Sequence, residues 1–370
     1  MTQYLLYICT AFLASAACGF VMIPQIMNYC KQKNLYDIPN SRKVHQNAVP
    51  RLGGISFLPS MLLAFFLVTL VMSPYTTSSE GTVTISLWSA YFLISLLLIY
   101  SVGIVDDLIG LNAKIKFIVQ IVAAAIIPMS GLYINTLYGL WGIYEIPFEL
   151  GAPLTVFIMV FIMNAINLID GIDGLAASLS FLALGGFLMS FLREGMFVYC
   201  ILIAGLMGVL LPYSYFNIFG KVERNRKIFM GDSGSLTLGF ILSFLFVKFA
   251  MDNPNVVAFH LDGLLLPYTL LVVPVFDVAR VILVRLYHHQ PLFDADKNHI
   301  HHKLMRAGMS QHQTLLAIIM MALTYIVLNF WLFTFCDITA IVGIDILLYI
   351  ATHQVINWQI RKWREVSIKR

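Results

Sequence analysis

Carboxylates, amides and histidines are scarce in this chain, and most of those able to do chemistry fall into four clusters. Asp106 and Asp107 are adjacent at the end of an apolar run closing in Gly103-Ile104-Val105, and Lys114 and Lys116 follow. Two neighbouring acids at such an edge are costly unless they bind a cation or serve a reaction. Lys116 is placed to meet an anion held there, although solvated loop acids would give the same pattern. The second cluster runs Asn164-Ala-Ile-Asn167-Leu-Ile-Asp170-Gly-Ile-Asp173-Gly. Polar groups spaced by three stack on one face of a helix. Inside hydrocarbon that face needs either a hydrophilic ligand or a hydrogen-bonded seam with a neighbouring helix. Gly171 and Gly174 favour the ligand, because they let backbone approach it closely.

The third cluster, Phe229-Met-Gly-Asp-Ser-Gly-Ser235, follows the basic stretch Lys221 to Lys227. Asp232 offers a hard oxygen donor suited to magnesium. The helix expected to start here would present free N–H groups to phosphate, and an N-capping role for the aspartate or serine is compatible with metal binding. The fourth lies in the polar loop from Arg285 to Gln313, with Asp296-Lys-Asn-His299-Ile-His301-His302-Lys303, Arg306 and His312. With no cysteine nearby, imidazoles and guanidinium facing a pyrophosphate fit better than a zinc site.

The elements that must position these clusters are membrane helices. The chain is 59% hydrophobic and 11% charged, with a mean hydropathy of +0.84, whereas soluble domains carry about a quarter charged residues. A water-soluble globule is excluded, and nothing suggests nucleic-acid binding. Apolar runs near 4–24, 54–73, 84–104, 115–134, 151–169, 176–192, 196–216, 234–251, 263–285, 314–335 and 338–358 give eleven expected transmembrane helices, each close to the roughly 20 residues that cross a bilayer core. The first run lacks a basic leader and a cleavage pattern, so it reads as a retained helix. Lys and Arg concentrate in the odd-numbered connections and the tail from Arg361 to Arg370. That alternation puts the N-terminus outside and the C-terminus in the cytoplasm, with all four clusters at the cytoplasmic face. The five cysteines lie mostly in or beside apolar runs without CxxC spacing and read as packing residues. Tyr138, Trp141 and Tyr144 between Gly131 and Gly151 read as interfacial anchors, with a small outer β-element as the alternative. The expectation is an all-α integral membrane protein forming one multi-pass domain over 1–370.

In this order the clusters resemble the polyprenyl-phosphate N-acetylhexosamine-1-phosphate transferases, and the resemblance spans nearly the whole chain. It includes Asp37-Ile-Pro-Asn40 with Arg42, Lys43, His45 and Pro50 to Gly54, then Asp106-Asp107, Asn164 to Gly174, Gly231-Asp232-Ser-Gly and His299-Ile-His-His302. The last motif resembles the WecA type rather than the three consecutive histidines of the MraY type, which implies a UDP-N-acetylhexosamine donor, UDP-GlcNAc first. The resemblance implies that Asn167 and Asp232 hold magnesium, with manganese as a substitute, that Asp173 contacts uridine and that Phe229 stacks on uracil. His299, His301 and His302 would face the pyrophosphate, with Arg306, Lys43, His45 and Asn164 also binding substrate. Asp106 or Asp107 would orient or deprotonate the lipid phosphate beside Lys116, with Asp170 lining the site. The implied partners are the UDP-sugar, undecaprenyl phosphate and the lipid of a bacterial inner membrane, and a homodimer is left open.

Two other classes share some of these features. A secondary transporter also carries acids in broken helices, but it would place them near the membrane midplane. A CDP-alcohol phosphotransferase needs an Asp-Gly…Ala-Arg spacing, whereas Asp173-Gly-Leu-Ala-Ala-Ser lacks the arginine.

Overall fold

The computed structural model describes residues 2–37, 48–72, 87–224, 226–253, 260–291 and 297–368. In lipid every backbone polar group must be satisfied within its own segment, and the apolar runs accordingly become helices. They are α1 (Thr2–Lys33), α2 (Phe57–Met72), α3 (Leu87–Ile109), α4 (Ala113–Met129), α5 (Phe148–Ile169), α6 (Leu175–Arg193), α7 (Phe197–Ile218), α8 (Gly231–Ala250), α9 (Leu265–Tyr287), the short α10 (Ile300–Arg306), α11 (Gln311–Leu332) and α12 (Ile338–Ile368). Among the described residues, nine helices are long and apolar enough to cross a membrane. The two further long helices are α4, with 17 residues, and α9, which carries Asp277, Arg280 and Arg285. The protein is an all-α multi-pass membrane protein.

Several helices outrun their apolar runs. α1 continues through Pro24 to Lys33, and α3 continues to Ile109, which brings Asp106 and Asp107 onto its last turn. α4 stops sooner, one residue after Pro128. A short antiparallel pair, β1 (Tyr36–Asp37) with β2 (Val49–Pro50), follows α1, and the segment between Gly131 and Gly151 does form a β-element, a second hairpin in which β3 (Thr136–Leu140) pairs antiparallel with β4 (Ile143–Glu145). Tyr138 and Trp141 adopt positive φ at that second hairpin. Trp141 and Tyr144 still project outward, as interfacial anchors do.

At the centre stands α8, buried at every position from Ser233 to Ala250. α3 and α5 pack along it, while α1 lies against α7 and α2. Small residues make these approaches close. A side chain on Gly103 would overlap the Ser233 backbone, and one on Gly239 would overlap Met163, the small-residue contacts typical of helix packing in lipid. The closing turns of α3, α5 and α7 meet the opening turns of α4, α6, α8 and α11 at one end of the bundle, together with α10. The β3–β4 hairpin belongs to the opposite end.

Candidate active site

That crowded end encloses a cavity of about 420 Å³. Asp232, in the first turn of α8, is its hub. Lys116 Nζ donates to Asp232 Oδ2 at 2.7 Å and to Asp106 Oδ2 at 3.2 Å. The Asn167 amide donates to Asp232 Oδ1 at 3.1 Å and to Ser235 Oγ at 2.8 Å. Asp106 also accepts the Leu111 N–H at 2.6 Å, which closes the turn between α3 and α4. One oxygen from each of Asp106, Asp107 and Asp232 lies within 4.8 Å of the others.

Asp107 has a different task from its neighbour. It is buried, and its two oxygens accept the N–H groups of Asp232 and Ser233 at 2.8 and 2.9 Å. The expectation that α8 offers those N–H groups to a substrate phosphate is therefore corrected, because a carboxylate of the protein already caps them.

Such a set of hard oxygen donors fits a magnesium-type cation. The Lys116 ammonium between two of the carboxylates shows that this corner calls for positive charge. Asp106, Asp232 and Asn167 would hold the ion, while both Asp107 oxygens are committed to α8.

The opposite wall comes from the break between α5 and α6. Asp170 follows the last residue of α5, and its carboxyl faces the cavity. Burial, and then the charges of Asp232, Asp173 and Asp107, push its pKa up to about 7. Asp173 also lines the cavity and receives Lys227 Nζ at 2.6 Å. Gly174, at φ 75°, starts α6 and donates its N–H to Asn217 Oδ1 at 2.6 Å, while the Asn217 amide donates to the Ile228 carbonyl at 2.8 Å. Asn217 thus ties the aspartate loop to the segment carrying Phe229. That segment is held on its other side as well. The Gly53 and Gly54 N–H groups donate to Phe229 and Met230 carbonyls at 2.9 and 2.8 Å, and the Phe229 N–H donates to Pro50 at 2.7 Å. Phe229 stands on the cavity wall.

The histidines divide. Among the described histidines, only His302 lines the cavity. His299 is buried and bonded through Nδ1 to Asp277 Oδ2 at 2.8 Å. His301 is buried against Gly171, where a side chain on the glycine would overlap its ring. Burial, and then the charge of His302, pull the His301 pKa down to about 3. His302 is also shifted down, by burial and then by His299, Arg306 and Lys297.

Other expected contacts lie off the cavity. Asn164 donates to Gln120 Oε1 at 2.6 Å and to the Val160 carbonyl at 2.8 Å, so it forms the interhelical seam that competed with a ligand site. Arg306 is turned toward the Lys297 carbonyl at 3.1 Å. Lys43 and His45 fall outside the described residues. Asn217, Tyr213 and Gln311 were not singled out by the sequence, and Ser235 and Arg51 were given no role of their own, yet all five are on the cavity wall. Arg51 Nε is buried there without a partner among the described residues. Asn217 and Asp277 did carry a signal, being polar residues inside apolar runs, which membrane helices tolerate only for a purpose.

The model of glycosyl transferase family 4 matches residues 89–250, the stretch that supplies Asp106, Asp107, Lys116, Asn167, Asp170 and Asp232. A probable undecaprenyl-phosphate N-acetylglucosaminyl 1-phosphate transferase of Bacillus subtilis (strain 168) is 32% identical over 86% of this chain and 83% of its own length. The chain belongs to glycosyl transferase family 4. Undecaprenyl-phosphate alpha-N-acetylglucosaminyl 1-phosphate transferases of Yersinia pestis and Escherichia coli (strain K12) are also similar. They are 30% and 29% identical over 78% and 79% of this chain, and over 74% and 75% of their own lengths. The transporter reading is not supported, since the acids lining the cavity, Asp106, Asp107, Asp170, Asp173 and Asp232, gather at one end of the bundle and the relatives are named as transferases.

Proposed function

We propose that this family-4 transferase moves N-acetylglucosamine 1-phosphate from UDP-GlcNAc to undecaprenyl phosphate, releasing UMP and leaving a lipid-diphosphate-linked sugar. The reading is carried by the Asp106–Lys116–Asp232 cluster, which lies within the family-matched stretch and opens into the cavity. The cytoplasmic face of a bacterial inner membrane is the setting that the loop charges and the bacterial relatives favour, with the N-terminus outside and 1–370 acting as one unit.

The reaction joins two anions, so their repulsion is the first barrier. Magnesium, for which manganese would substitute, supplies charge screening and polarises the donor pyrophosphate when bound. Asp106, Asp232 and Asn167 are its ligands in this reading. Lys116 draws the lipid phosphate toward the same corner, and Asp107 keeps α8 fixed beneath it. The acceptor needs little deprotonation, because a phosphate monoester with a second pKa of about 6 is already largely dianionic near neutrality. Its oxygen attacks the β-phosphorus in line, and the bond from that phosphorus to the UMP oxygen breaks. Phe229 stacks on uracil, Asp173 binds uridine, and Arg51 and His302 meet the pyrophosphate from the cavity wall. Asp170 holds or releases a proton beside them.

Purified protein incubated with Mg²⁺, undecaprenyl phosphate and a panel of UDP-sugars tests this reading. UMP and lipid-linked N-acetylglucosamine are expected with UDP-GlcNAc. A protein that binds UMP yet releases none from any donor refutes it.

A further inference from the structure

Asp277 sits midway along α9, fully buried and flanked by Phe276 and Val278. It does not touch the cavity, and the proposed chemistry gives it no task. A buried carboxylate costs several kcal/mol or about that order unless its oxygens are paired, and here the pairing is directed at the histidine segment. Asp277 Oδ2 accepts from His299 Nδ1 at 2.8 Å, and Oδ1 accepts the Ile300 N–H at 2.9 Å. Arg280 Nη2 reaches Oδ1 at 3.1 Å and also donates to the Asn298 carbonyl. Tyr349, from α12, donates to Oδ1 at 3.5 Å.

These contacts fix three consecutive residues, Asn298 through its carbonyl, His299 through its ring and Ile300 through its N–H. Ile300 is the first residue of α10. Holding its N–H and the preceding ring sets the direction in which the helix departs. His302 then follows within the first turn and is the histidine on the cavity wall. The carboxylate behind Nδ1 fixes the orientation of the His299 ring, the usual effect of an orienting acid behind an imidazole.

We propose that Asp277 is a positioning residue for the transfer reaction, clamping His299 and the first turn of α10 so that His302 is presented to the cavity. The proposal rests on the transferase reading above. A purely architectural Asp277 would make no distinction between His302 and any other residue of the site.

The test uses the full chain, purified in detergent, with UMP release measured against UDP-GlcNAc concentration. Asp277→Asn keeps the shape but turns an amide nitrogen either toward His299 Nδ1 or toward the donors that Oδ1 now receives from Ile300, Arg280 and Tyr349. We expect kcat to fall about tenfold or more, the scale on which an orienting carboxylate acts, with UMP affinity unchanged. In combination with His302→Ala the losses should not multiply, since one acts through the other. Arg280→Lys, which keeps the charge but cannot fork to the Asn298 carbonyl, gives a milder version of the cycle if Asp277→Asn does not accumulate. Backbone hydrogen exchange over 298–304 should quicken in either variant. Losses that multiply, or exchange that stays at the wild-type rate, overturn the clamp. Absence of UMP release by the wild type refutes the transferase reading instead, and the exchange measurement still decides the clamp.

Discussion

Adjacent residues of the same type do different work here. Asp106 faces Lys116 and the cation corner, whereas Asp107 turns inward and caps α8. Their order in the sequence shows only that two acids end an apolar run. The split depends on α8 arriving from more than a hundred residues away. Asp232→Ala removes the acid that Lys116 and Asn167 share, and turnover should fall by roughly 10²–10³-fold or more, as when one electrostatic partner of a transition state is lost. Membrane insertion should be intact, and comparison of UMP release with the yield of folded protein checks both. Asp170 supplies a pH dependence. Its folded-state pKa, about 7, lies above the ordinary 3.8. As pH rises the unfolded chain ionises first, so this residue removes stability between about pH 4 and 7, and the penalty is constant above that. A divalent cation bound alongside favours the ionised form, so magnesium should bind more tightly as pH rises through 7. The rise should flatten in Asp170→Asn, as Mg²⁺ titrations at several pH values would reveal.

Helix positions were readable from apolar runs, but helix ends were not. α3 outruns its apolar run because Asp106 and Asp107 find partners, so two charges that read as a terminus become part of the last turn. Similarly, spacing by three placed Asn164 with Asn167 and Asp170 on one face, yet only a neighbour from α4, Gln120, reveals Asn164 as a seam residue. Two predictions belong to this scale. The turn Gly53–Ser56 is pressed onto α8 so closely that a side chain on Gly54 would overlap the Gly234 backbone. Gly54→Ala should therefore destabilise the fold by about 1–3 kcal/mol and displace Asp232, seen as a lower thermal midpoint and weaker Mg²⁺ binding. Far from the cavity, Asp345 of α12 accepts from Tyr268 of α9 and Asn329 of α11, each at 2.8 Å. Asn329→Ala removes one strand of that three-helix junction. A loss of about 0.6–1.7 kcal/mol is expected, the range found for hydrogen bonds between membrane helices, with thermal unfolding in detergent as the readout and UMP release unchanged.

Across the whole molecule, basic loops and site residues share one end of the bundle, and composition with loop charge was enough to anticipate it. Labelling of single cysteines from either side of a sealed vesicle tests the orientation. A cysteine at Glu194 should react from outside and one at Lys221 from the cytoplasm, and the reverse pattern would invert the topology. One more consequence follows from the burial of α8. Because no position from Ser233 to Ala250 meets lipid, this helix can carry Ser233, Ser235, Thr237, Ser243 and Lys248, and its mean hydropathy of 1.6 is below the 2.0–2.2 of α1, α2, α3, α5, α6, α7 and α11. A segment with that content gains less from hydrocarbon alone. Chain order gives it protein to insert against, since α3 and α5, which pack along it, are made first. The span that brings Asp232 to the reaction thus enters the membrane as a guest of helices already there.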